Sequence, residues 1–211
     1  TDSRGVIWVG TSNGMQIFDR ETNVFRDFSL QCPSFNLTPY VTSIAETKDK
    51  KYLLVSVSGF GILVYNDITH QIDLDATQKL KDLYGNNFLG NLFIDSEGFV
   101  WSFAEQGSFF KLNFESKLLE KINWSTEISD LSTRIAVSTI TEDPVTKNIL
   151  IGTYNHGIFI YDRTKGYIRK PKGKSASKIR IRVLLAETRK NNGNEQNIWV
   201  GSEDSGLKKF Y

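Results

Sequence analysis

His70, His156 and Cys32 are the chain's only imidazoles and its only thiol, and they stand far apart in sequence. A metal centre draws its ligands from short, recurring spacings, so neither a metal nor a cofactor is expected, and one cysteine forms no internal disulfide. Asp95-Ser96-Glu97-Gly98 has the carboxylate spacing of a calcium loop in outline, but the remaining oxygen ligands are missing and a hairpin turn accounts for it. There is no Gly-x-Ser-x-Gly elbow and no cysteine–histidine arrangement in register. The glycines fall at turns, with no phosphate-binding loop opening a helix. Glu105, Glu203 and Asp204 could work as paired carboxylates only if distant turns meet. No residue is assigned a catalytic role.

Binding chemistry is better represented. Phe60, Gln106, Tyr154, Asn155, His156, Glu203 and Asp204 sit in short polar segments between apolar runs. Rings beside amides and carboxylates suit a polyhydroxylated ligand, because a ring covers the apolar face of a sugar while amides bond its hydroxyls. A second candidate is the stretch from Arg163 to Arg182, which holds nine Lys or Arg residues and no acid. Such a run is ordinarily a solvated loop; as a site, Arg169, Lys170, Lys172 and Lys174 would form a patch for an anionic ligand. Stacking aromatics are nearly absent from it, so nucleic acid is not expected as a partner.

The elements that would carry these residues repeat. Ile7-Trp8-Val9-Gly10-Thr11 leads to Gly14 and Phe18-Asp19, and related cassettes lead to Gly61, Gly107, Gly157 and Gly206, about every fifty residues. Each cassette alternates as a strand, crosses a Gly/Asn turn and resumes as a second strand. A further strand precedes each later cassette (Val41–Ala45, Gly90–Ile94, Val137–Ile140, Ile181–Leu185), and another follows each of the first four (Val24–Phe28, Gln71–Leu74, Leu118–Ile122, Tyr167–Arg169). No window shows sustained helical spacing of apolar residues. The pattern predicts an all-β chain, a β-propeller of four-stranded antiparallel blades with about five partial blades at 1–40, 41–88, 89–134, 135–178 and 179–211. Trp8, Trp101 and Trp199 are expected to pack between blades; Trp124 falls in a connector and is expected to be partly exposed. The series opens at the second strand of a unit and stops after the third strand of another, which predicts a piece of a larger propeller. Its exposed blade edges would offer a route to self-association. The loops joining second to third strands, which carry the ring, amide and carboxylate residues above, and the blade connectors would open on one face and form the binding face.

With 39% hydrophobic and 12% aromatic residues and a net charge of +2, the chain can fill a core and shows no overall electrostatic signature. No apolar run approaches the ~20 residues that span a bilayer.

The cassette resembles the repeat of periplasmic sensor propellers in hybrid two-component regulators, which reads Ile-Trp-Ile-Gly-Thr, a few polar residues, Gly-Leu and Tyr-Asp. Ile7–Asp19 and Ile151–Asp162 match closely and Ile198–Gly206 matches well. Ser56 and Ser102 replace the first glycine in the second and third copies, and Leu112 stands near the aspartate position of the third. The resemblance covers essentially the whole chain. It implies a non-enzymatic, periplasmic ligand-sensing domain that recognises oligosaccharides from polysaccharide breakdown, on a polypeptide carrying further blades, a membrane helix and a histidine kinase. The family's motif is structural and transfers no ligand contacts. The competing readings are a propeller lyase or glycosidase, which would lose turnover without a loop carboxylate or His156, and a WD-like protein-interaction scaffold, whose His and Trp-Asp signatures are missing.

Overall fold

A computed structural model describes residues 1–29, 39–85, 89–104, 107–128, 135–171, 179–188 and 196–210. Cys32, Glu105, Gln106, Lys172 and Lys174 lie outside the described residues. Among those described, the chain forms eighteen strands and one helix. The first repeat is β1 (Ile7–Thr11), β2 (Gly14–Asp19) and β3 (Val24–Phe28); the second is β4 (Val41–Glu46), β5 (Tyr52–Val57), β6 (Gly61–Asn66) and β7 (Gln71–Ile72). The third is β8 (Leu89–Ile94), β9 (Phe99–Ala104), β10 (Phe109–Asn113) and β11 (Leu118–Trp124). The fourth is β12 (Val137–Glu142), β13 (Ile149–Thr153), β14 (Ile158–Asp162) and β15 (Tyr167–Arg169), and the fifth is β16 (Ile181–Thr188), β17 (Gln196–Ser202) and β18 (Gly206–Phe210). Within each repeat, neighbours in sequence are neighbours in the sheet.

Side chains at fixed repeat positions build each blade. After the third strand of a blade stands Asp19, Asn66, Asn113 or Asp162, and its Oδ1 accepts from the backbone N–H groups two and three residues on. Four residues past that Asx turn, the chain takes positive φ at Asn23, His70, Lys117 and Gly166 and enters the next strand. The third repeat keeps this device through Asn113, one residue beyond Leu112, because its cassette is longer by one residue. At the other hairpin, between second and third strands, the hydroxyl following the first glycine closes the turn. Thr11, Thr153 and Ser202 donate to the carbonyls of Gly14, Gly157 and Gly206 at 3.1, 2.8 and 2.9 Å. Gly14 and Gly206 lie at φ 105° and 66°, which L side chains rarely adopt. The first glycine serves a different need: a Cβ on Gly152 would stand 2.6 Å from Thr139 and 2.8 Å from Ile181.

The Asp95 turn is a hairpin between β8 and β9, as read from sequence. Its Oδ1 accepts from Glu97 and Phe99 N–H, and its Oδ2 takes the indole N–H of fully buried Trp101 at 2.7 Å. Asp2 makes the same latch to Trp8 at 2.9 Å, and Glu187 to Trp199 at 2.9 Å. Trp8 packs between blades, edge-on to Phe28 at 4.9 Å and tilted against Tyr65 at 6.3 Å. Trp199 is half-buried, as Trp8 is, with Lys209 over its ring at 4.9 Å.

Two positions differ from the sequence reading. The fourth strand of the second repeat stops at Ile72, and helix α1 (Leu74–Tyr84) occupies what reads as a connector. Asp73 caps the helix through Ala76 N–H at 2.9 Å, and Thr77, Leu80 and Tyr84 form its buried face. Thr77 Oγ1 accepts from Val64 N–H at 3.0 Å, so the helix satisfies a β6 donor that a longer fourth strand would have paired. Trp124 ends strand β11 instead of lying in a connector. Its indole donates to Gly107 O at 2.9 Å, and its ring meets Phe159 edge-on at 5.3 Å.

The residues group into two compact units, 1–104 with 112–119, and 105–111 with 120–211. The first unit's core joins Met15, Val41, Val55, Leu63 and Tyr65, with Trp8 and Phe28 against it. There Arg4 bridges Asp2 and Asp67 at 2.7 and 2.8 Å, and Ser43 Oγ accepts from Leu92 N–H at 3.0 Å, tying successive repeats. The second unit's core joins Leu150, Ile158, Ile181, Leu184 and Val200. On β16 the alternate side chains Val183 and Leu185 remain exposed, as does Leu207 on β18.

Candidate functional site

In the second unit, the turns after β13 and β17 are braced by Thr153 and Ser202, which also accept from His156 and Ser205 N–H at 2.9 and 3.1 Å. The braces fix the backbone and project the tip side chains. Tyr154 is 37% exposed. Arg182, on β16, lays its guanidinium 4.8 Å from the centre of the Tyr154 ring and pairs with Glu203 at 3.0 Å. The structure therefore joins two of the sequence-predicted residues, Tyr154 and Glu203, through a third that was counted only as part of the basic stretch. A hydrogen bond from the guanidinium to Glu203, together with Tyr154, raises the Arg182 pKa further. Both members of the ion pair are about half exposed, with side-chain values of 53% and 45%, so a ligand reaches them without first unfolding anything.

Asn155 sits beside this cluster in sequence and is exposed; its Oδ1 accepts from Ala136 N–H at 3.4 Å. His156 is half-buried, and its Nδ1 is buried without a hydrogen-bond partner among the described residues. Asp204 is exposed and accepts from Ser205 Oγ at 3.2 Å. The cluster thus offers one ring, one guanidinium, one carboxylate and one amide on turns held rigid from beneath. It can stack against and hydrogen-bond a polar ligand. Among the described residues no group of three or more His, Cys, Asp or Glu is placed to hold a metal ion.

In the first unit, Phe60 is not an open platform. It packs against the core, and Lys81 of α1 lies over its ring at 4.5 Å. The missed helix is what covers it. Arg169 and Lys170 lie in the second unit at the far end of β14 from Tyr154. Arg169 donates through Nε to Asp162 Oδ2 at 2.9 Å and through Nη1 to Lys170 O at 3.2 Å. Hydrogen bonds from the Thr164 hydroxyl and Arg169 hold the Asp162 carboxyl below the ordinary aspartate range.

No protein-family model matches the sequence, and no curated protein does. Solved structures do. The chain superposes on the extracellular domain of a proposed one-component system from B. thetaiotaomicron with a TM-score of 0.68 at 18% identity, over 97% of this chain and 26% of that one. It superposes on the extracellular domain of a proposed hybrid two-component system from the same organism with a TM-score of 0.66 at 19% identity, over 99% of this chain and 26% of that one. The β-propeller domain of Swd1 from Myceliophteria thermophila gives a TM-score of 0.66 at 14% identity, over 99% of this chain and 62% of that one. The chain spans about a quarter of the length of the two bacterial ectodomains. Among the described residues no helix is long and apolar enough to cross a membrane. Blades of antiparallel strands, repeated turn devices and these superpositions give one conclusion at the level of fold: the chain is a β-propeller.

Proposed function

We propose that the chain is an extracytoplasmic ligand-sensing propeller domain without enzymatic activity, part of a hybrid two-component signalling protein, and that its ligand is an oligosaccharide from polysaccharide breakdown. The observation that carries this reading is the Tyr154–Arg182–Glu203 cluster on braced turns. It displays stacking and hydrogen-bonding groups on exposed positions that a polar ligand can reach. The fold shared with bacterial extracellular domains supports the setting. The periplasm is the compartment this implies, and further blades, a membrane helix and a histidine kinase on the same polypeptide are the partners. Further blades would cover the exposed apolar side chains of β16, which otherwise offer a surface for self-association. Binding would act by favouring one of two pre-existing arrangements of the propeller and the modules beyond it.

The test is calorimetric titration of the chain with a panel of neutral and acidic oligosaccharides, repeated with Tyr154→Ala and Arg182→Gln. One glycan class is expected to bind, and each substitution to weaken it by about tenfold or more, the loss of roughly one good contact. Cleavage of a glycan by the chain would contradict the non-enzymatic reading.

A further inference from the structure

The fourth blade ends in an unusual junction. Strand β15 pairs antiparallel with β14 on one side and parallel with β11 on the other, at Asn123↔Tyr167 and Trp124↔Ile168. Ser125 N–H adds one more bond, to Ile168 O at 2.7 Å. Beside this short seam lies a cleft of about 590 Å³ whose lining includes Trp124, Ser125, Lys165, Tyr167, Arg169 and Lys170. It falls within the size range of small-ligand sites. It is separate from the loop-tip cluster, because Tyr167 pairs with Asp162 at the end of β14 opposite the Tyr154 turn.

The lining has a specific chemical make-up. Trp124 and Tyr167 supply rings, and Asn123 an amide. Lys165 Nζ stands 6.0 Å from the centre of the Tyr167 ring, and Arg169 is held in place by Asp162. Neither Lys165 nor Lys170 has a carboxylate partner among the described residues, and Glu127 is the single acid of the lining against three cations. Ser125 Oγ is buried and has no hydrogen-bond partner among the described residues. A buried hydroxyl without a partner carries a desolvation cost that a bound polar group would relieve.

We propose that this cleft is a second binding site, for an acidic sugar unit: a pyranose bearing a carboxylate or sulfate, its apolar face toward a ring and its anion toward Lys165, Arg169 and Lys170. Rings alone would take a neutral sugar and cations alone would take any anion; the two side by side select a ligand with both features. The site extends the oligosaccharide-sensing reading and does not depend on the Tyr154 cluster.

The test is calorimetric titration of the chain with digalacturonate, neutral digalactose and inorganic sulfate, at low and at raised salt. The same titrations are run on Lys165→Gln/Lys170→Gln, on Ser125→Ala and on Arg182→Gln, with melting curves to show that each variant is folded. Digalacturonate is expected to bind more tightly than either control ligand and to weaken as salt rises. The double lysine variant should weaken it by about tenfold or more, and Ser125→Ala should weaken it measurably. No binding of digalacturonate overturns the proposal, as does equal binding of digalactose, equal binding of sulfate, or affinity unaltered in the lysine variant. Digalacturonate binding lost only in Arg182→Gln also overturns it, while leaving the loop-tip reading standing.

Discussion

At the scale of single residues, the blades are held by polar latches inside an apolar frame. Trp101 is fully buried, yet its indole N–H is satisfied by Asp95, whose other oxygen shapes the turn that delivers it. Trp101→Phe removes that donor and should destabilise the chain by about 1–3 kcal/mol for the lost bond alone, read by chemical denaturation. Trp199→Phe should cost less, since the Glu187 latch is exposed. Gly152→Ala tests crowding instead, because its Cβ would stand 2.6 Å from Thr139. Overpacking of this kind should cost about 1–3 kcal/mol. Much of this was legible: Gly and Thr positions, the Asp95 turn and the packing role of Trp8 follow from type and spacing. The latches were not read, because an apolar pattern says where an indole is buried and not which way its N–H points. The six-residue interval shared by Asp2–Trp8 and Asp95–Trp101 was the available signal.

At the scale of elements, α1 is the main departure from the sequence reading. It is short, and one of its three buried positions is Thr77, so the apolar periodicity never develops. Its termini carried the missing signal: Asp73 before the first turn, Asp75 within it, Lys81 near the end and Gly85 after it. Asp73→Ala should destabilise the chain by about 1 kcal/mol through loss of the cap, with helical circular dichroism falling in parallel. Tyr84 reaches from this helix to Ser102 at 3.0 Å, where the repeat otherwise prefers glycine. Burial pushes its phenol up to about 12, against a bond from Ser102 that acts the other way. A phenol that ionises at about 10 when unfolded and at about 12 when folded stabilises the fold fully below 10 and loses that contribution as pH rises toward 12. Tyr84→Phe should flatten the decline of stability across that window, measured by denaturant melts at stepped pH. The candidate site shows the same limit of sequence reading. Tyr154 and Glu203 were visible as loop chemistry, whereas Arg182 joins them only because β16 pairs with β17 in a particular register.

At the scale of the whole molecule, the fifty-residue period carried the fold. Strand order inside each blade was readable, since consecutive hairpins leave little choice. The parallel seam between β11 and β15 was not, because nothing local in either strand specifies a partner from another blade. Acid should act on several blades together. Asp162 lies below the ordinary aspartate value of 3.8 through the Thr164 hydroxyl and Arg169. Asp2 does too, since bonds from Trp8, Arg4 and Val6 outweigh the burial that would raise it. Groups lowered on folding stabilise the native state above 3.8 and lose that contribution as pH falls through their folded values. Stability should therefore decline as pH drops below about 4, less steeply in Asp162→Asn.

Ligand sensing is open to a direct test by melting the chain in the presence of an oligosaccharide panel. A cognate glycan at about a hundred times its dissociation constant should raise the melting temperature by roughly 5–10 °C, the shift for about 2.7 kcal/mol in a chain of this size; Arg182→Gln should roughly halve the shift of a glycan held at the loop-tip cluster, and the Lys165→Gln/Lys170→Gln pair that of an acidic glycan held in the cleft. A panel of neutral, uronic and sulfated fragments that leaves the melting temperature unmoved in the unsubstituted chain would contradict the ligand-sensing account.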